Sequence, residues 1–125
     1  MSKALVLCVD DDIASVEIRE LLLQHKGYDT IAAYDGATAV RALANNANID
    51  LVILDYTLPD SNGGEVGQLM RAIKPNLPIV MLSGLTTRPA DVDGAIDAFL
   101  TKGRRTEELL DQMEYMLSRN IEKRA

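Results

Sequence analysis

A chain of 125 residues with a net charge of −6 has room for one core and lacks the clustered cations of a nucleic-acid surface. At 47% hydrophobic and 26% charged it has a soluble globular make-up, and its apolar runs are too short to cross a bilayer. Its single cysteine, Cys8, excludes an internal disulfide and fits a reducing, cytoplasmic compartment.

Residues 4–9 form an unbroken aliphatic run, the pattern of a strand buried on both faces, and end in Asp10, Asp11 and Asp12. A helix is predicted over residues 13–26, with Asp12 as N-cap, Gly27 as its stop, and Ile13, Val16, Glu17, Glu20, Leu21 and Leu23 giving its amphipathic pattern. Residues 30–33 make a short strand, and Asp35-Gly36 opens a second helix that runs to Asn45-Asn46. Residues 51–55 are a further buried strand, closed by the turn chemistry of Pro59, Asn62 and Gly63. A third helix is expected over 65–73, ending before Pro75.

Residues 78–82 form a fourth strand that delivers Ser83 and Gly84. Residues 97–101 form a fifth that delivers Lys102 and Gly103. Between them, Pro89 and Gly94 leave space only for a short or irregular fourth helix. The last helix covers about residues 106–121, with Leu109, Leu110, Met113 and Leu117 as its buried stripe. Strands alternating with helices predict an α/β fold, a doubly wound parallel sheet with right-handed crossovers, in a single domain spanning residues 1–125.

In a parallel sheet every strand end named above lies on one rim, where open α/β sheets hold their ligands. Asp10, Asp11, Asp55, Ser83 and Lys102 then converge from four strands. Carboxylates sharing a pocket repel one another unless a cation intervenes, and a hard divalent ion with oxygen ligands, Mg²⁺, resolves this. Asp55 is left as a nucleophile, Lys102 as a fixed positive charge and Ser83 as a hydroxyl donor. Together they fit a transferring phosphoryl group, with an aspartyl phosphate as product.

Val9-Asp10-Asp11, Asp55-Tyr56-Thr57-Leu58-Pro59 with Asn62-Gly63, Met81-Leu82-Ser83-Gly84 and Phe99-Leu100-Thr101-Lys102 occur in that order. In these motifs the chain resembles the receiver domain of two-component response regulators. The resemblance implies a flavodoxin-like (βα)5 fold and phosphorylation of Asp55 by a sensor histidine kinase or a histidine phosphotransfer protein. It implies that Asp11, Asp55 and the backbone carbonyl of Thr57 bind Mg²⁺, with Asp10 holding a metal-bound water. Ser83 and Phe99 match the family's hydroxyl–aromatic switch pair. The resemblance places the partner-reading surface on the fourth helix, fifth strand and last helix, and it makes dimerisation on phosphorylation an expectation.

Three features depart from the family pattern, one of them Phe99, which replaces the common tyrosine and has no hydroxyl to hydrogen-bond outside. Gly103 stands where a proline in cis linkage is usual, so a trans Lys102–Gly103 peptide is expected, since a cis bond there costs about 2.5–4 kcal/mol. The segment between Ser83 and Phe99 is short by close to one helical turn. The reading is therefore a phosphoacceptor switch that is not a turnover enzyme, acts on a downstream protein target or output domain, and contacts neither nucleic acid nor membrane. With no output domain expected after Ile121, it acts alone, in a phosphorelay, or as part of a longer regulator.

The alternative is a receiver-like interaction module that is never phosphorylated. A haloacid-dehalogenase-like phosphohydrolase would need a second acid where Thr57 stands. Among the remaining groups, His25 reads as a helix-end cation, Cys8 as a buried small hydrophobe, and Arg104-Arg105 as a solvated patch.

Overall fold

The computed structural model describes residues 3–85, 87–103 and 106–124, the last five by their backbone alone. Five strands, β1 (Leu5–Val9), β2 (Asp29–Ala33), β3 (Ile49–Asp55), β4 (Ile79–Ser83) and β5 (Ala98–Thr101), pair in parallel in the order β2-β1-β3-β4-β5. Four helices connect or follow them: α1 (Ile13–His25), α2 (Gly36–Asn45), α3 (Gly63–Ile73) and α4 (Thr106–Arg124). This is the doubly wound, flavodoxin-like architecture that the strand–helix alternation predicts.

Strand residues alternate between two cores. Leu7, Val9, Val52, Leu54, Ile79 and Met81 face α2 and α3, packing with Leu43, Val66 and Met70. Val6, Cys8, Leu51, Ile53, Val80 and Leu82 face α1 and α4, packing with Val16, Leu23, Leu109, Met113 and Met116. A strand covered on both faces has no polar side to show, which is why β1, β3 and β4 read as continuous aliphatic runs.

Each of the first three helices starts at a side-chain cap. Asp12, Asp35 and Asn62 accept from the backbone N–H of Ser15, Thr38 and Glu65 at 3.4, 2.7 and 3.0 Å. The Asn62 cap starts α3 at Gly63, two residues before the expected start at Glu65. Ile49 is fully buried and opens β3 two residues ahead of the predicted start at Leu51. Asp97 lies just before β5 rather than in it. Its carboxylate accepts from the Ile79 N–H at 2.8 Å and pairs with Arg71 at 3.0 Å.

Two helix faces differ from expectation. On α1, Ile13 and Leu21 are exposed, and the inward stripe is Val16, Arg19, Glu20 and Leu23. Glu20 is satisfied by the Thr30 hydroxyl at 2.7 Å. Two long polar side chains with partners thus occupy positions that apolar periodicity assigns to hydrophobes. Among the described side chains of α4 the buried ones are Leu109, Met113 and Met116, while Leu110 and Leu117 are only partly covered.

The connection from β4 to β5 contains a single 3-10 turn, Ala90–Val92, with Val92 and Ala95 buried against the α2–α3 core. The short segment has no further helix among its described residues. The Lys102–Gly103 peptide is trans, and Gly103 takes φ +86°, a left-handed conformation that glycine adopts without a Cβ clash. Arg104-Arg105 lie outside the described residues.

Candidate functional site: an acid pocket on the sheet rim

Register brings the strand ends to one level. Val9 pairs with Leu54, Asp55 with Leu82, and Ser83 with Thr101. Asp10 therefore leaves β1 beside Asp55 at the end of β3, with Ser83 and Lys102 next along the rim. Asp10, Asp55 and Ser83 are the polar side chains the described core buries, at 1%, 5% and 1% exposure. Buried polar groups need compensation, and here they share it.

The Lys102 ammonium lies 3.1 Å from Asp10 Oδ2 and 3.1 Å from Asp55 Oδ2. The Lys102 backbone N–H donates to the Ser83 carbonyl at 2.7 Å, so the end of β4 fixes where this lysine leaves the sheet. Asp10 Oδ1 accepts from the Asp12 N–H at 3.0 Å. Asp10 Oδ2 accepts no well-formed hydrogen bond, and its burial is offset by charge alone: Lys102, and the Arg19 guanidinium at 3.7 Å.

These contacts split the two acids. Burial raises the Asp10 carboxyl, but the Asp12 amide, Lys102 and Arg19 together outweigh it and leave the group below its ordinary range. Burial also raises Asp55. The Asp10 charge adds to that rise, and Lys102 with the Thr57 amide does not offset it, so Asp55 stands above its ordinary value. Lys102 is lowered by burial and raised by both acids, with a net rise. Burial drives the nearby Cys8 thiol up to about 12, so it stays protonated and inert.

Asp11 is exposed at the lip, and carboxylate oxygens of Asp10, Asp11 and Asp55 lie within 4.8 Å of one another. An oxygen-only donor set with a buried, hydrogen-bond-poor Oδ2 suits a hard divalent cation such as Mg²⁺ rather than a softer metal.

The turn after β3 shapes the floor of the pocket. Gly63 donates to the Tyr56 carbonyl at 2.6 Å, and a Cβ at Gly63 would stand 2.8 Å from the Asp55 carbonyl oxygen. Thr57 is exposed and bridges to Asn62 across this turn. Asp60 reaches from the same turn to the head of α2, accepting from the Gly36 and Ala37 amides at 2.8 and 2.9 Å.

On the far side, the Ser83 hydroxyl accepts from the Leu85 N–H at 3.0 Å, and Phe99, beside Met81, is partly buried against the α2–α3 core. Asp12 caps α1 and is exposed. Two contacts went unanticipated. Arg19 is betrayed in sequence only as a cation between Val16 and Leu23 on the inward face of α1. The Tyr56 hydroxyl donates to the Asp91 carboxylate at 2.9 Å, across 35 residues. No local pattern announces it.

A family model for the response regulator receiver domain matches residues 6–114. The chain is 37% identical over 117 residues to response regulator MprA of a Mycobacterium species, covering 91% of this chain and 50% of that protein. It is 30% identical over 118 residues to the cell cycle transcriptional regulator CtrA of Caulobacter vibrioides, covering 92% and 51%. The chain thus spans about half the length of these relatives.

Among solved structures, the response regulator TrrA of Thermotoga maritima, in complex with Mg²⁺ and BeF, superposes with a TM-score of 0.85. The two are 29% identical, over 90% of this chain and 98% of that one. A CheY-like receiver from Methanospirillum hungatei reaches 0.89 at 23% identity, covering 98% and 99%, a likeness of fold. With four motifs on one rim and a matching family model over most of its length, the chain belongs to the response regulator receiver domains of two-component systems.

Proposed function

We propose that the chain works as one receiver unit over residues 1–125, in which Asp55 accepts a phosphoryl group from a phosphohistidine donor in a Mg²⁺-dependent reaction. The observation that carries this reading is the shared ammonium: Lys102 within 3.1 Å of both Asp10 and Asp55, on a rim whose other donors are carboxylates. The complex of the TrrA relative with Mg²⁺ and BeF supports the same chemistry in a receiver of this shape.

Asp11, Asp55 and the Thr57 carbonyl would hold the ion, with Asp10 anchoring it through water. When bound, Mg²⁺ supplies positive charge to the phosphoryl oxygens. An Asp55 carboxylate oxygen attacks phosphorus as the phosphorus–nitrogen bond of the donor breaks, its electron pair returning to the imidazole. Lys102 leaves the Asp55 carboxylate for a phosphoryl oxygen while keeping Asp10 in reach. Ser83 exchanges its bond from the Leu85 amide for one to the phosphoryl group, and Phe99 follows into the space this opens.

The donor is a sensor histidine kinase or a histidine phosphotransfer protein. The exposed Ile13, Ile18 and Leu21 of α1, beside the rim, offer it an apolar face. Output passes to a protein partner or an attached domain through the surface around β5 and α4, with self-association on phosphorylation as one form. The chain itself contacts no nucleic acid and, with water slow to attack, is a switch rather than a turnover enzyme. No described helix is long and apolar enough to cross a membrane.

Titration with beryllofluoride, followed by amide NMR with and without Mg²⁺, tests the reading. Amides near Asp55, Ser83 and Lys102 should shift only when ion and mimic are both present, and Asp55→Asn should abolish the response. No shift at saturating Mg²⁺ and mimic would make the chain a contact-only module.

A further inference from the structure

We propose that Arg19 is a second cation of the acid pocket, a positioning residue that weakens the binding of a bare divalent ion and strengthens the ion-plus-phosphoryl state. The proposal rests on the phosphoacceptor reading above and adds a residue that none of its motifs contains. Arg19 projects from α1 at a position flanked by the fully buried Val16 and Leu23, where an apolar side chain would suffice for packing. Its side chain is only 13% exposed, and its Nη2 lies 3.7 Å from Asp10 Oδ2. That oxygen is buried, receives no hydrogen bond, and is shared with Lys102.

Arg19 and Lys102 also line one cavity of about 320 Å³ between α1 and the start of α4, with Ser15, Leu22, Leu100 and Leu109. Two cations thus approach the same carboxylate from opposite elements. Guanidinium stays charged at any working pH, so this contribution is constant.

The charge balance gives the sign of the effect. Asp10, Asp11 and Asp55 set against Lys102 and Arg19 leave one net negative charge in the pocket. A divalent ion entering meets both cations, so removing Arg19 tightens its binding. An incoming phosphoryl group or its fluoride mimic is attracted by the same guanidinium, so removing Arg19 weakens it. When Lys102 turns to the phosphoryl oxygens, Arg19 remains as the counter-charge of Asp10. At a few ångströms, in a half-shielded pocket, each effect amounts to several-fold in affinity.

The test uses the full chain and two amide NMR titrations, Mg²⁺ alone and beryllofluoride at saturating Mg²⁺. Arg19→Met should lower the Mg²⁺ Kd about 5-fold and raise the apparent beryllofluoride Kd about 5-fold, opposite signs that loosened packing does not produce. Arg19→Lys should restore both to within about 2-fold. Lys26→Met, which removes equal charge from the far end of α1, should move neither beyond about 1.5-fold. Should Arg19→Met lose its amide dispersion, Arg19→Gln replaces it with the same expected signs.

Unchanged constants in Arg19→Met, shifts of one sign in both titrations, or a lysine variant that behaves like methionine would each overturn the proposal. If any one of these happens while the wild type still binds beryllofluoride, the phosphoacceptor reading survives alone. If the wild type binds Mg²⁺ and never the mimic, that reading fails and overturns the proposal with it, since the opposite-sign shift then has no phosphoryl state to appear in. A wild type that binds no Mg²⁺ overturns both.

Discussion

The two sides of the rim are built differently. Asp10 and Asp55 leave β1 and β3, neighbouring strands inside the sheet whose residues are almost all buried. Phe99 lies on β5 and Lys102 directly follows it; β5 is an edge strand whose four residues are all only partly buried, reached through a connection whose described residues hold one 3-10 turn. The acids are held by packing on two faces, whereas among the described residues the lysine side is tied to the sheet along one edge: by pairing with β4, the Lys102 backbone bond to Ser83, its ion pairs and, farther out, the Tyr56–Asp91 hydrogen bond. A switch needs this asymmetry. The proposed phosphoacceptor and its metal ligands must stay in register, while the groups that report the reaction must move at little cost.

The largest effect should come from damaging the stiff side at its closest approach. Gly63→Ala would set a Cβ 2.8 Å from the Asp55 carbonyl oxygen and 2.9 Å from the Tyr56 Cα, backbone atoms that cannot step aside cheaply. We expect a loss of about 1–3 kcal/mol in urea denaturation, together with weaker Mg²⁺ binding. An unchanged midpoint would mean that the turn after β3 yields easily and that the contrast between the two sides is overdrawn.

A smaller effect of opposite sign should follow from relieving the pocket. The native Asp55 carboxyl is raised by its burial first and by Asp10 second, so its ionised form opposes folding at neutral pH. In the absence of Mg²⁺, Asp55→Asn should therefore stabilise the protein, by about 1 kcal/mol. A folded state that binds its proton more tightly than the unfolded one gains stability as pH falls. The advantage of the variant should accordingly shrink as pH drops through the raised native value toward 3.8, the ordinary carboxyl value. Urea denaturation from pH 7 to pH 3.5 reads this, and an advantage that persisted at the acid end would contradict it.

The smallest effect belongs to the soft side. Tyr56→Phe removes the bond to Asp91, a surface contact, and should cost under about 1 kcal/mol globally. Its signature should instead be local, as faster amide exchange at Val92, Asp93 and Ala95, whose N–H groups bond within the connection. Uniform acceleration across the sheet would show that this connection unfolds with the core and is not a separate soft unit.

How far the sequence foretold this asymmetry follows from the range of the interactions. The central strands were legible because burial on both faces leaves continuous aliphatic runs. The cap at Asp12 was legible because it is a local hydrogen bond, whereas Asn62 read only as a turn residue and its cap on α3 escaped. The convergence of Asp10, Asp55, Ser83 and Lys102 followed from a parallel sheet alone. The irregular β4–β5 segment was signalled by Pro89 and Gly94.

What else escaped was tertiary. Arg19 and Glu20 broke the apolar stripe of α1 because each has a distant partner, Asp10 or Thr30, and a helix-period count then assigned the inward face to Ile13 and Leu21. Met116 on α4 was missed for a similar reason, since which flank of that helix meets the sheet depends on how it docks. The Tyr56–Asp91 pair joins segments that only the finished fold brings together.

The bridge from Asp60 to the head of α2 has a practical consequence. Amides in the first turn of a helix ordinarily lack an acceptor and exchange freely with water. Those of Gly36 and Ala37 are instead clamped by a carboxylate from the turn that follows Asp55. The bonds, that from Gly36 foremost, also draw the Asp60 carboxyl below its ordinary value, so the clamp persists into mild acid. These two amides form a native, label-free gauge of that turn. They sit on a different helix, away from the paramagnetic or fluoride reagents that would crowd the pocket itself.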